Sequence, residues 1–158
     1  MINLDPKELF VAYREKNLDK DSTINYLRAF IEECDEEKKR IKGIFFLSKI
    51  ESGTNGKILR ILENSLLSDQ SSLVRAFAAR MLVKNSPIQN VSLVEYVIDN
   101  DISVLVTTTI FKTLKKIRYY LAKGLRNKIV AKYAKLHGVI PIEAKFLVVI
   151  RVSSKSSR

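Results

Sequence analysis

Cys34 and His137 are the only thiol and the only imidazole in the chain. A zinc site needs three or four ligands at coordinated spacing, which one residue of each kind cannot supply. Cys34 falls near an expected helix end, where a thiol serves packing more often than nucleophilic attack. Carboxylates cluster at Glu32, Glu33, Asp35, Glu36 and Glu37, followed at once by Lys38, Lys39 and Arg40. That pattern reads as a helix junction with acids near the next helix start, where the dipole favours them, rather than as a hard-cation site. The run Gly53-Thr54-Asn55-Gly56 before Lys57 lacks phosphate-loop spacing, and neither G-x-S-x-G nor a dinucleotide fingerprint occurs. No catalytic, metal or cofactor site is expected, and the chain is read as a non-enzyme.

Positive charge is what the side chains do offer. The net charge is +11 over 158 residues, and it is unevenly spread. Residues 1–111 hold 15 Lys/Arg against 16 Asp/Glu, a net of −1, whereas residues 112–158 hold 13 against the single acid Glu143, a net of +12. Lys112, Lys115, Lys116 and Arg118 close one expected helix, and Lys123, Arg126, Lys128, Lys132 and Lys135 follow on the next. Spacing places Lys128, Lys132 and Lys135 on one stripe. Such asymmetry favours an anionic partner, either nucleic acid through salt-dependent phosphate contacts or an acidic protein. A solvated lysine-rich helix accounts for the same residues equally well. A lipid-bound amphipathic helix ranks third, because the apolar stripe is better used against the neighbouring repeat.

These residues must be positioned by helices. Gly (5) and Pro (3) are too scarce to punctuate an all-β fold. In the segment 68–82, Asp69 and serines supply helix-start oxygens, and Val74, Phe77, Ala78, Met81 and Leu82 make one apolar stripe. The register returns 32 residues later, with Asp101, Ser103, Val106, Ile110, Phe111 and Leu114 at the places of Asp69, Ser71, Val74, Ala78, Ala79 and Leu82. It also occurs 35 residues earlier, where Arg40, Gly43, Ile44 and Leu47 match Arg75, Ala78, Ala79 and Leu82. Apolar-periodic stretches at 23–33, 57–67 and 91–98 precede the three copies. Two helices per unit of this length is the mark of a helical hairpin repeat.

The run from Leu67 to Leu82, L-x-D-x-S-x-x-V-R-x-x-A-A-x-x-L, resembles the second helix of a HEAT repeat, of the short lyase-associated HEAT-like type. The resemblance covers roughly residues 22–117. It implies an all-α, ARM-type α-solenoid of antiparallel helix pairs, about eight helices in all. It also implies that Asp69 and Arg75, with Arg40 and Asp101 in the same register, are structural and tie consecutive repeats together. Thr107 stands where the third copy would carry Arg, and Cys34 falls in the Asp register of the first. Some HEAT-like folds are DNA glycosylases, which need aromatic surfaces and an acidic group. This chain has no Trp, and its basic third has only Glu143.

One domain is expected over 1–152, with divergent basic helices over 118–152 and a disordered tail at 153–158. Helices are expected at 6–16, opened by Asp5 and Pro6, and at 119–137, weakened by Gly124 and stopped by Gly138. Loops fall at 17–22, 51–56, 84–90 and 99–101. Segment 139–152 is ambiguous between a docked helix and a strand, and so apolar an end reads as one that a continuation of the chain would cover. No signal peptide or span of eighteen apolar residues occurs, so the expectation is a soluble, cytoplasmic protein. The expected function is a scaffold that binds another protein, with nucleic acid as the alternative partner.

Overall fold

Eight α-helices make up the regular structure of a computed structural model that describes residues 5–51, 55–86, 89–118 and 120–135, and no strand forms among them. They are α1 (Pro6–Arg14), α2 (Lys20–Glu33), α3 (Glu37–Ile50), α4 (Gly56–Ser68), α5 (Ser72–Asn85), α6 (Val91–Asn100), α7 (Val104–Leu114) and α8 (Tyr120–Lys135). Residues 139–152 and the tail lie outside the described residues.

Short polar caps set the helix starts. Asp5 accepts the Lys7 N–H while Glu8 accepts the Asp5 N–H, a reciprocal capping box with Pro6 in the first turn. Asp19 caps α2 by accepting the Ser22 N–H, so that helix begins inside the expected 17–22 loop. α1 stops at Arg14, short of the expected Lys16, because Lys16 takes φ 62° and turns the chain in the left-handed region. Ser71 and Ser103, 32 residues apart, cap α5 and α7 alike. Asp69 and Asp101 are not the helix-start caps that the sequence suggested. Each ends the helix before, and each accepts the N–H of the serine two residues on.

The helices bury the stripes that the periodicity marks. α2 and α3 pack as neighbours, as do α4 and α5, and α3 packs on α5, which packs on α7. α1 covers α2 and α3 at one end, and α8 lies against α6 and α7 at the other. Ile24, Leu27, Ile44, Leu47, Leu62, Leu66, Leu82, Ile98, Ile110 and Phe111 are fully buried. Small residues permit the closest approaches: Ala78 and Ala79 have no exposed surface, and a Cβ on Gly43 would stand 2.7 Å from Ile31 Cγ1.

Two part-buried ion pairs hold α3, α5 and α7 in a common register. Arg40 Nε and Nη2 each donate to Asp69 at 2.9 Å, and Nη1 donates to the carbonyls of Cys34 and Asp35. Arg75 repeats the arrangement one unit on. Its Nε and Nη2 donate to Asp101 at 2.9 and 3.3 Å, and Nη1 donates to the carbonyls of Asp69 and Gln70. A planar guanidinium meeting a carboxylate with two parallel bonds fixes both offset and angle between the joined segments.

Asp69→Ala would leave the Arg40 guanidinium, only 5% exposed, without its carboxylate. Urea unfolding should show a loss of about 3–5 kcal/mol. The half-buried cap change Asp5→Ala, which also removes the pairing with Lys42, should cost only about 1 kcal/mol. Equal losses would mean that the Arg40 pair contributes no more than a surface contact.

Candidate functional site

Three of the nine cations singled out in the basic third have named partners on neighbouring elements. Arg126, Lys128 and Lys132 are engaged by the fold. Arg126 Nη1 donates to the Leu114 carbonyl at 3.0 Å, and Lys128 pairs with Asp99 at 2.8 Å. Lys132 Nζ donates to the carbonyls of Ile98 and of Asp101, the latter at 2.9 Å. Lys112, Lys115, Lys116, Arg118, Lys123 and Lys135 are exposed. The stripe of Lys128, Lys132 and Lys135 is therefore divided, with two members turned to the α6–α7 junction and Lys135 facing solvent.

The missing arginine of the third unit explains the division. At the first two junctions Nη1 of Arg40 or Arg75 satisfies the carbonyls six and five residues before it. Thr107 is too short to reach that far. Lys132 comes from α8 to the Asp101 carbonyl, the counterpart of the Asp69 carbonyl one unit earlier, and also takes the orphan Ile98 carbonyl near the end of α6. Thr107 Oγ1 instead bonds the buried Tyr133 hydroxyl. Tyr133 thus belongs to the interior, with Ala122, Leu125 and Ile129 the other buried residues of α8.

The ionisable groups of the two rungs respond to each other. Hydrogen bonding to Asp69 raises the Arg40 pKa against the opposing effect of burial, and Asp101 does the same for Arg75. Burial pushes the Asp101 carboxyl up. Hydrogen bonds from Arg75 and the Ser103 N–H, with the charges of Arg75 and Lys132, outweigh it and leave the carboxyl below its ordinary value. The bond to Asp99 raises Lys128. A cleft of ≈ 610 Å³ beside the first rung is lined by Cys34, Asn64, Gln70 and the Arg40–Asp69 pair, whose charges already satisfy each other.

Lys112 and Lys116 meet two cations that the sequence reading passed over. Together with Arg80 and Lys84 they line a cleft of ≈ 570 Å³ between α5 and α7, completed by Thr109, Thr113 and Ile117, with no acid among these residues. The signal was present in the repeat: the 32-residue offset that aligns Asp69 with Asp101 also aligns Arg80 with Lys112 and Lys84 with Lys116. The charge balance masks it, because Arg80 and Lys84 belong to residues 1–111, whose net charge is −1.

Along the same two helices, Leu73 and Leu105 share a register position and are 41% and 43% exposed. Val104 is exposed beside Leu105, and Ile102, just before α7, is 95% exposed. The α5–α7 face therefore runs from apolar at its N-terminal end to cationic at its C-terminal end. No helix among the described residues is long and apolar enough to cross a membrane. No protein-family model, curated protein or solved structure matches this chain.

Lys132→Met should lower stability by about 1.5–3 kcal/mol, since a charged donor leaves two carbonyls. Exposed Lys135→Met should change it by less than about 0.5 kcal/mol. Equal effects in thermal unfolding would remove Lys132 from its junction role. Asp101 ionises more readily in the fold than in the unfolded chain, so its contribution is present at neutral pH and fades as pH falls through and below about 4. Urea midpoints between neutral and strongly acidic pH should accordingly fall further for the unaltered chain than for Asp101→Asn. Parallel profiles would show that this carboxylate does not contribute to acid sensitivity.

Proposed function

We propose that this protein is a HEAT-like α-solenoid scaffold, without a reaction of its own, that binds another protein on the α5–α7 face. The observation that carries the reading is the exposed apolar end of that face. Leu73 and Leu105 sit at equivalent positions on adjacent helices, with Val104 and Ile102 beside them. Scattered exposed leucines are ordinary, but exposed apolar residues gathered on two packed helices mark a surface suited to a partner. Stacked helical repeats place equivalent residues side by side, so a surface for recognition can be built from a regular core.

The fate of the buried charges supports a scaffold over a catalyst. Arg40, Asp69, Arg75 and Asp101 bond to each other and to backbone carbonyls between helices, so their hydrogen-bonding capacity serves packing. The alternative of nucleic-acid binding by the basic C-terminal helices draws less support, because Arg126, Lys128 and Lys132 are committed to neighbouring elements.

The decisive experiment compares proteins retained by the immobilised chain with those retained by Leu73→Asp/Leu105→Asp. Both positions are solvent-facing, so the double variant should keep its helical circular dichroism and lose a reproducible partner by at least about tenfold, or 1.4 kcal/mol. Retention of the same partner at unchanged affinity by the folded variant would sink the assignment of this face.

A further inference from the structure

The cationic end of the α5–α7 face has a composition that helix stability alone does not explain. Positive side chains in a last turn are favoured by the helix dipole, and this would serve any helix equally. Here the last turns of α3, α5 and α7 carry Lys49, Lys84 and Lys112, whereas those of α2, α4 and α6 carry no basic residue. Arg14 stands in the last turn of α1 and Lys132 and Lys135 in that of α8, so that, α8 apart, the bias follows one row of packed helices. Nor do the dipoles cancel the charge: two helix ends contribute about half a negative charge each, against the three whole positive charges of Arg80, Lys84 and Lys116.

From these observations we infer that the cleft formed by Arg80, Lys84, Lys112 and Lys116 receives the acidic end of a partner polypeptide whose apolar end lies on Leu73 and Leu105. This rests on the protein-docking reading above and names the chemistry of the partner. Residues four apart on a helix are separated by about 6 Å along its axis, and packed helices lie about 8–10 Å apart. Arg80, Lys84 and Lys116 therefore occupy an area that a few carboxylates of one short segment can cover. Among the described residues, Arg80, Lys84 and Lys116 have no hydrogen bond or ion pair, and neither α5 nor α7 contains an acid. Leu73 precedes Arg80 and Lys84 by seven and eleven residues, about 10–16 Å along α5, which two to three turns of a partner helix would span. Between the two ends lie Phe77 and Thr109, both half-buried, so the stripe is continuous. A phosphate backbone would satisfy the cations and leave the leucines in water. A polypeptide with apolar and acidic residues satisfies both ends, with charge complementarity fixing its direction.

Selection from a displayed library of random dodecapeptides on the purified chain, at about 0.15 M ionic strength, tests the inference. Enriched peptides should join an apolar stretch to an excess of Asp and Glu. Arg80→Glu/Lys84→Glu/Lys116→Glu should retain the apolar preference and select Lys and Arg instead. Lys123→Glu/Lys135→Glu on α8 should leave the original selection unchanged. If the triple glutamate variant does not fold, Arg80→Gln/Lys84→Gln/Lys116→Gln with unchanged circular dichroism should lose the acidic preference. Apolar peptides without acidic excess, or an acidic excess that survives the glutamine variant, would overturn this inference and leave the docking face standing. Failure to enrich any peptide would overturn both readings. A fluorescein-labelled single-stranded oligonucleotide that binds more tightly than the selected peptides, and displaces them, would reassign the cleft to phosphate.

Discussion

Arg40 carries a full positive charge into a space where its residue is 5% exposed, and the surrounding structure is arranged so that this charge is answered. Asp69 meets the guanidinium with both oxygens, and the carbonyls of Cys34 and Asp35 take the remaining fork. Two apolar residues of equal volume would hold the helices together as strongly, but without directional bonds between them. The bidentate pair supplies them. It ties the middle of the first turn of α3 to the link before α5, and Arg75 ties α5 to the link before α7 in the same way. Ser71 extends the connection by donating to Glu37 across the same junction.

The third unit meets the same requirement with different groups. Thr107 cannot reach another unit as arginine does, so its hydroxyl pairs with Tyr133 on α8 and the pairing becomes neutral. The carbonyls at the α6–α7 junction still need donors, and Lys132 supplies them. α8 is therefore joined to α6 and α7 by polar contacts that match the earlier junctions in position though not in residue type. Much of the positive charge on its inward side is explained by this need. The charge density of the C-terminal third is thus partly a consequence of closing the last junction.

Because α3, α5 and α7 share one register, side chains at equivalent positions stand side by side. Leu73 and Leu105 hold equivalent exposed positions, and Arg80, Lys84, Lys112 and Lys116 line one cleft, giving a face with an apolar end and a cationic end. On α3 the corresponding positions are Phe45 and Lys49, whose ammonium lies 5.4 Å from the Phe45 ring centroid. The face changes character there, from two cations per helix to an aromatic ring with one cation. Buried pairing and surface pattern are linked in this way: the rungs that hold the helices in step also set which exposed residues become neighbours.

Helical periodicity, caps and the 32- and 35-residue offsets determine by themselves that the chain is helical, where its apolar stripes lie and which positions correspond between units. These are properties of local geometry, with a period of about 3.6 residues per turn, and they are readable without knowing what each stripe touches. They place Asp5 at a cap, and Arg40, Asp69, Arg75 and Asp101 in one register. The partners of the cations depend on distances between residues far apart in sequence, and no local pattern contains those distances. Lys132 and exposed Lys135 are three residues apart on one helix, yet only Lys132 reaches the carbonyls of Ile98 and Asp101, because those carbonyls belong to another junction. Arg80 and Lys84 belong to a stretch of balanced charge, and they join Lys112 and Lys116 only when α5 and α7 are packed in step. Tertiary packing decided which positive charges stabilise the fold and which are left to face a partner, since a lysine's role depends on whether an unsatisfied oxygen lies within reach of its ammonium.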